Sequence, residues 1–297
     1  MNIVEKYKDA HLSGTEVWMV QPDNIDDILR VCITPNRVPP EGQRAALVIG
    51  TDAELSAGAL ISTLKSCAIG LDLPFVYGVS VGYPLDAHPP FAIKRNRDLT
   101  TKWFAFEPVT AAMAGLPGVA PTGGADDFLE FLAEELKPAL ARAFPIDPDE
   151  STLAGQSFGG MFALYALLTR PDTFQRYLAV SPSLWWNDHA LLDAAARIVA
   201  EHPAPAARVY MCAGELENKA RFHLQFGGPM PEPIKSVVSK ALGSADLPGD
   251  MFMMEQILRK WSGDQFSVEA HIYPQESHES IMGAALSRGL RRLHGTL

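Results

Sequence analysis

The stretch Thr152-Leu153-Ala154-Gly155-Gln156-Ser157-Phe158-Gly159-Gly160-Met161-Phe162-Ala163-Leu164 runs from a short apolar strand through a glycine-flanked serine into a strong helix former. Its centre, Gly155-Gln156-Ser157-Phe158-Gly159, fits the pattern G-x-S-x-G. A serine on a tight strand-to-helix turn is lifted clear of the backbone, and small flanking residues let strand and helix pack around it. The same turn sets the hydroxyl at a helix N-terminus, where free N–H groups face a developing negative charge. The pattern recurs at Gly78-Val79-Ser80-Val81-Gly82, but there Tyr83, Pro84 and His88-Pro89-Pro90 follow, and no helix can start. Ser80 reads as a strand-end serine; Ser157 is the candidate nucleophile.

A serine hydroxyl needs a base to take its proton. Of eight histidines, His11, His88, His189, His202 and His294 fall near chain ends, in loops or on solvated helix faces. His223 lies in a long insertion, and His271 lies inside the last strand. His278 follows that strand by five residues, in Pro274-Gln275-Glu276-Ser277-His278, just before the last helix. In a Ser…acid…His order that loop is where the base belongs. The acid that orients the ring should follow the penultimate strand, where the chain reads Gly214-Glu215-Leu216-Glu217-Asn218. Glu217 is preferred over Glu215 because it lies further past the strand end and can reach back. For the oxyanion, one N–H should come from Phe158. The second should come from the loop Gly50-Thr51-Asp52-Ala53, with Asp52 and Ala53 as candidates.

Outward from this segment the chain alternates. Strands are expected at 15–21, 28–34, 46–51, 75–82, 151–155, 177–180, 208–213 and 266–273. Helices are expected at 53–66, 126–144, 158–169, 189–201, 231–242, 251–261 and 279–294. The Pro22-Asp23-Asn24 turn makes the first two strands an antiparallel edge pair. The remaining alternation predicts an α/β fold, a mostly parallel eight-stranded sheet with helices on both faces. Two long segments, 83–123 and the one after residue 213, interrupt it near the carboxyl ends of strands, where such sheets bind ligands. One domain accounts for residues 1–297.

Composition narrows the function classes. The chain has 297 residues, 47% of them apolar and 20% charged, so it can bury a large core without staples. A net charge of −10 argues against a large nucleic-acid footprint or an anionic membrane surface. Three widely spaced cysteines, Cys32, Cys67 and Cys212, fit a reducing compartment, and Cys212 sits in an apolar run as core filler. Residues 1–12 hold no signal-like apolar stretch, and no 18-residue window is apolar throughout. The expected address is the cytoplasm, the expected partner a small-molecule ester.

Several blocks then carry a resemblance. The segment 152–164, Val180-Ser181-Pro182-Ser183-Leu184-Trp185-Trp186, Arg95-Asn96-Arg97-Asp98-Leu99-Thr100, Gly123-Gly124-Ala125-Asp126-Asp127-Phe128-Leu129 and Ser277-His278-Glu279-Ser280 resemble blocks of the Putative esterase (esterase D-like) family of α/β-hydrolases. Within that family they resemble the siderophore esterases that cleave enterobactin-type trilactones. The resemblance implies an α/β-hydrolase fold and ester hydrolysis through an acyl-enzyme, without metal or cofactor. Ser157 would be nucleophile and His278 base, with a variable acid that some members seldom need. Two departures stand out: Asp52-Ala53 where relatives carry Asp-Gly, and Thr100-Thr101 where they carry Thr-Pro. Arg95 and Arg97, with Lys94, are candidates to meet an iron-chelating catecholate, though Arg95–Asp98 also reads as an ion-paired turn. Trp185, Trp186 and Trp103 are candidate pocket walls, or apolar fasteners on the core. Acyl transfer on the same residues and a silent binding protein of this fold are the rival functions.

Overall fold

The computed structural model describes residues 14–70, 72–87, 91–101, 122–221, 242 and 245–295. Eight strands form one sheet: β1 (Glu16–Val20), β2 (Leu29–Pro35), β3 (Ala45–Gly50), β4 (Val76–Gly82), β5 (Ile146–Gln156), β6 (Arg176–Val180), β7 (Arg208–Gly214) and β8 (Ser267–Tyr273). Their order is β1-β2-β4-β3-β5-β6-β7-β8. The pairs β1–β2 and β2–β4 are antiparallel, and all others are parallel.

Side-chain alternation divides the core in two, because successive residues of a strand face opposite sides. Leu47, Ile49, Leu153, Tyr177, Ala179, Val209 and Met211 face one layer. Val48, Ala154, Leu178, Val180, Tyr210 and Cys212 face the other. The second layer holds α1 (Ala53–Gly70) and the last helix, α8 (Ile281–His294). The first holds α3 (Ala125–Glu130), α4 (Lys137–Ala143), α5 (Phe158–Thr169), α6 (Trp186–Glu201) and α7 (Leu247–Leu258). Helix α5 is buried along its length from Phe158 to Leu168, so no polar stripe breaks its run of apolar residues.

Four departures from the sequence expectation have physical causes. Strand β5 begins at Ile146, not 151. Asp147-Pro148-Asp149-Glu150 lacks strand character, yet Ile146 pairs with Ala45 across a register shift. The expected single helix 126–144 is α3 and α4 joined by a π-helical turn, Phe131–Leu136. Pro138 in the first turn of α4 has no N–H to donate to the preceding turn, and the wider turn accommodates this. Helix α7 starts early because Asp246 caps it, accepting from Gly249 N–H at 3.3 Å, with Pro248 in its first turn. The segment after Tyr83 contains a helix, α2 (Phe91–Asp98). The helix expected at 231–242 lies outside the described residues except for Leu242, and no described helix is long and apolar enough to cross a membrane.

Because β3 and β5–β8 run parallel, the loops that follow them open on one end of the sheet. Every candidate catalytic residue falls in those loops.

Candidate active site

Ser157 stands between β5 and α5 with φ 61° and ψ −119°, a conformation that L-residues rarely adopt. Close packing holds it there. A side chain on Gly155 would collide with the backbone of Gly159, and one on Gly159 would strike Thr51 Oγ1. The Ser157 N–H donates to Val180 O at 2.9 Å, so the turn is also tied to the end of β6. Phe158 is the first residue of α5, and its N–H therefore has no acceptor within the helix.

His278 and Glu217 meet beside this turn. Leu216 N–H donates to Glu276 O at 3.1 Å, and Gln275 N–H donates to Glu215 Oε2 at 2.9 Å. These bonds lay the loop after β8 on the loop after β7. Gln156, the residue before Ser157, donates its side-chain amide to the main-chain oxygen of His278. The imidazole Nδ1 lies 2.5 Å from Glu217 Oε1. Glu217 is fully buried, in a 3-10 turn (Glu215–Glu217), and its second oxygen accepts from Gly214 N–H at 2.6 Å and Ser181 Oγ at 2.7 Å. A buried carboxyl group with partners on three sides is fixed in position. An Nδ1–H can donate to Oε1, and in that tautomer Nε2 carries a lone pair. Glu215 is exposed and serves the loop contact with Gln275.

The loop after β3 closes the other side. Thr51 N–H donates to Ala154 O at 3.1 Å, and Thr51 and Asp52 pack against the first turn of α5 at Gly159. Asp52 has φ 56°, another left-handed residue. Its carboxylate takes a two-pronged ion pair from Arg95, Nε to Oδ1 at 2.6 Å and Nη2 to Oδ2 at 2.9 Å. The same guanidinium lies 5.3 Å from the centre of the Phe158 ring. Burial works against the charge on Arg95, but Asp52 outweighs it and raises the pKa. Asp52 thus lies beside the first turn of α5, and Ala53 opens α1.

The basic patch is a different matter. Arg95 is engaged by Asp52, Lys94 by Asp27, and Arg97 by Asp98 at 2.6 Å and by Asp27 at 3.5 Å. Asp98 also accepts from the Tyr83 hydroxyl at 2.7 Å. Each of the three cations is matched by a carboxylate: Asp27 and Asp52 tie α2 to the loops after β1 and β3, and the Arg97–Asp98 pair lies within α2. Trp186 is 1% exposed and meets the Phe158 ring edge-on at 4.6 Å. It packs within the buried core cluster. Trp185 is half-buried, 6.4 Å from Phe158, and keeps an open face. Trp103 lies outside the described residues.

Two histidines expected on solvated faces are engaged: His189 with Asp250 at 3.0 Å, and His294 with Thr152 Oγ1 at 2.7 Å. Burial pushes the Cys212 thiol well up, with Glu217 adding to the shift, in keeping with a core thiol. Ser80 is 2% exposed within β4. Sequence reasoning missed Ser181 and Ser183. Ser181 holds Glu217, and Ser183 Oγ lies 3.1 Å from Ser157 Oγ. Their signal in the sequence is the position of the Ser-Pro-Ser run at the end of β6, the strand next to β5.

A strained serine at a helix N-terminus, a histidine–carboxylate pair from the last two strand loops and this strand order define an α/β-hydrolase with a serine-hydrolase site. The family model described as Putative esterase matches residues 117–227. A siderophore enterobactin esterase of Emericella nidulans is 31% identical over 222 residues, 71% of this chain and 69% of that protein. Ferri-bacillibactin esterase BesA of Bacillus subtilis is 31% identical over 217 residues, 70% of this chain and 72% of that protein. Among solved structures, siderophore hydrolase EstB from Aspergillus nidulans shares the fold with a TM-score of 0.77, at 22% identity and covering 97% of each chain. The chain belongs to the Putative esterase family and is a carboxylic ester hydrolase.

Proposed function

We propose that this esterase, as a single α/β-hydrolase domain, hydrolyses the ester bonds of a siderophore of the enterobactin type, with Ser157 as nucleophile. The chemistry follows from the residues. Ser157 Oγ attacks the ester carbonyl while His278 Nε2 takes its proton, and Glu217 holds Nδ1–H and balances the imidazolium. Phe158 N–H and an amide of the Asp52–Ala53 loop receive the oxyanion. The alcohol leaves with the proton from His278, which then activates water to release the acid. The observation that carries this reading is the Glu217–His278 contact of 2.5 Å, held beside the Ser157 turn by the Gln156 bond. The siderophore substrate is supported by the two relatives named for siderophore esters.

The test has two arms. Ser157→Ala should abolish labelling by a fluorophosphonate and lower kcat on p-nitrophenyl acetate on the order of 10⁴-fold or more. Labelling that persists in the variant would remove Ser157 from the mechanism. A catecholate trilactone assayed beside p-nitrophenyl esters of increasing chain length should be cleaved with the higher kcat/KM. Failure on the trilactone, with short acyl esters turned over, would confine the enzyme to simple esters.

A further inference from the structure

We propose that Ser183 is a further catalytic residue, whose hydroxyl donates to Ser157 Oγ and speeds hydrolysis of the acyl-enzyme more than its formation. This rests on Ser157 as nucleophile. Ser183 is 2% exposed, and its Oγ lies 3.1 Å from Ser157 Oγ. Its backbone is held from several sides. Its N–H donates to Ser157 O at 3.1 Å, its carbonyl accepts from Trp186 N–H at 3.1 Å, and Leu184 N–H bonds Pro182 O at 2.8 Å. Two residues earlier, Ser181 has φ 44° and is tied to Glu217. The Ser183 hydroxyl is therefore placed before substrate arrives, the condition under which a single hydrogen bond contributes most to a rate.

The direction of donation follows from proton accounting. A serine hydroxyl has one proton and two lone pairs. Ser157 gives its proton to His278, so in the Ser157–Ser183 pair Ser183 must be the donor once attack begins. Donation to the attacking oxygen has opposed effects on acylation: it withdraws density from the nucleophile, yet stabilises the charge left by the departing proton. In the acyl-enzyme both effects act together, because Oγ is now the bridging oxygen of an ester. Water adds to the acyl carbon as His278 takes its proton. The carbon–Oγ bond then breaks, the bonding pair stays on Oγ, His278 returns the proton to Oγ, and the free acid departs. Throughout, Ser183 keeps its own proton. Its hydrogen bond makes the acyl carbon more electrophilic in the first step and stabilises the leaving oxygen in the second.

Stopped-flow release of p-nitrophenol from p-nitrophenyl acetate separates the two rate constants. In Ser183→Ala the acylation constant should stay within about twofold of wild type while deacylation falls about fivefold, the effect of one ordinary hydrogen bond. Ser183→Thr, which keeps the hydroxyl, should recover most of the loss. Ser183→Cys, close in size but a weak donor, should show the same split even if the alanine variant folds poorly. Equal changes in both constants, or none in either, would overturn the proposal. Ser157→Ala is run alongside: a burst surviving there would refute the nucleophile itself, an outcome distinct from failure of the Ser183 prediction.

Discussion

At the carboxyl end of the sheet the backbone turns through Asp52, Ser157, Ser181, Asn187, Asp188, His189 and Gln275, every described non-glycine residue with positive φ. At the amino end the described turns that need such a conformation use Gly14 and Gly42. Glycine adopts it without steric cost, whereas other residues give up of order 1 kcal/mol or more each. The amino end is built for stability: Arg176 pairs with Glu150 at 2.6 Å, and His294 bonds Thr152. The carboxyl end accepts strain at Asp52, Ser157 and Ser181 because each carries a side chain that glycine could not supply: a carboxylate for Arg95, the hydroxyl proposed as nucleophile, and a hydroxyl for Glu217. Strain at one end and relaxed turns at the other is the pattern of a site carried on a scaffold. It predicts that substitutions at the two ends fail differently.

The largest effect is expected at Glu217. Its Oε2 accepts two bonds, from Ser181 and Gly214, and Oε1 faces His278 Nδ1. In Glu217→Gln the single carbonyl oxygen stays with the two donors, and the amide group then faces Nδ1. The imidazole must accept there, its proton moves to Nε2, and no lone pair is left for Ser157. A comparable tautomer inversion costs about 10⁴ in kcat. A loss of 10³-fold or more on p-nitrophenyl acetate, with an unchanged melting temperature, is the expected result. A loss of less than tenfold would mean that Ser157 and His278 work as a pair, and that the buried glutamate belongs to the scaffold.

The sequence made placement legible where strand order determines it, and not where charged groups on separate segments pair. Ser157, His278 and Glu217 follow strands in a fixed order, and α5 is a continuous apolar run, so both were readable. The partner of Arg95 was not, because Asp52 is 43 residues away and nothing in either segment points to the other. The same holds for Lys94 and Asp27, 67 residues apart. Charge on a short segment looked like a patch, and three-dimensional pairing neutralised it. The strand character of Ile146–Ser151 was hidden for a related reason: its pairing with Ala45 comes from the neighbouring strand, not from its own residues.

Arg95 offers a second, intermediate test of what the carboxyl end is for. If its guanidinium sets the Asp52 turn and the Phe158 ring, then Arg95→Lys, which keeps the charge and loses the two-pronged fork, should lower kcat about tenfold and move KM less than twofold. Steady-state kinetics on a neutral ester separates this from contact with substrate. A rise in KM at constant kcat would return Arg95 to substrate binding and leave the oxyanion loop without its clamp.

The smallest effect belongs to the amino end and should leave catalysis alone. His294, the last residue of α8, bonds Thr152 Oγ1 at 2.7 Å. Burial, with Arg176 and Arg208 nearby, lowers its pKa to about 3, against an ordinary value of 6.5. The ring is neutral in the folded protein and must gain a proton when the chain unfolds below about pH 6.5. Between those two values the unfolded state binds more protons, so stability rises with pH there. The His294 contribution is complete above pH 6.5 and shrinks as pH falls toward 3, by up to about 1.4 kcal/mol per pH unit. In His294→Asn, which keeps a polar partner for Thr152 but does not titrate, urea midpoints at pH 7.5 and 5 should differ less than in wild type. Both proteins should turn over p-nitrophenyl acetate at equal kcat at pH 7.5. An unchanged difference in midpoint would place the acid sensitivity in the carboxylates, and a fall in kcat would show that the two ends of the sheet are coupled.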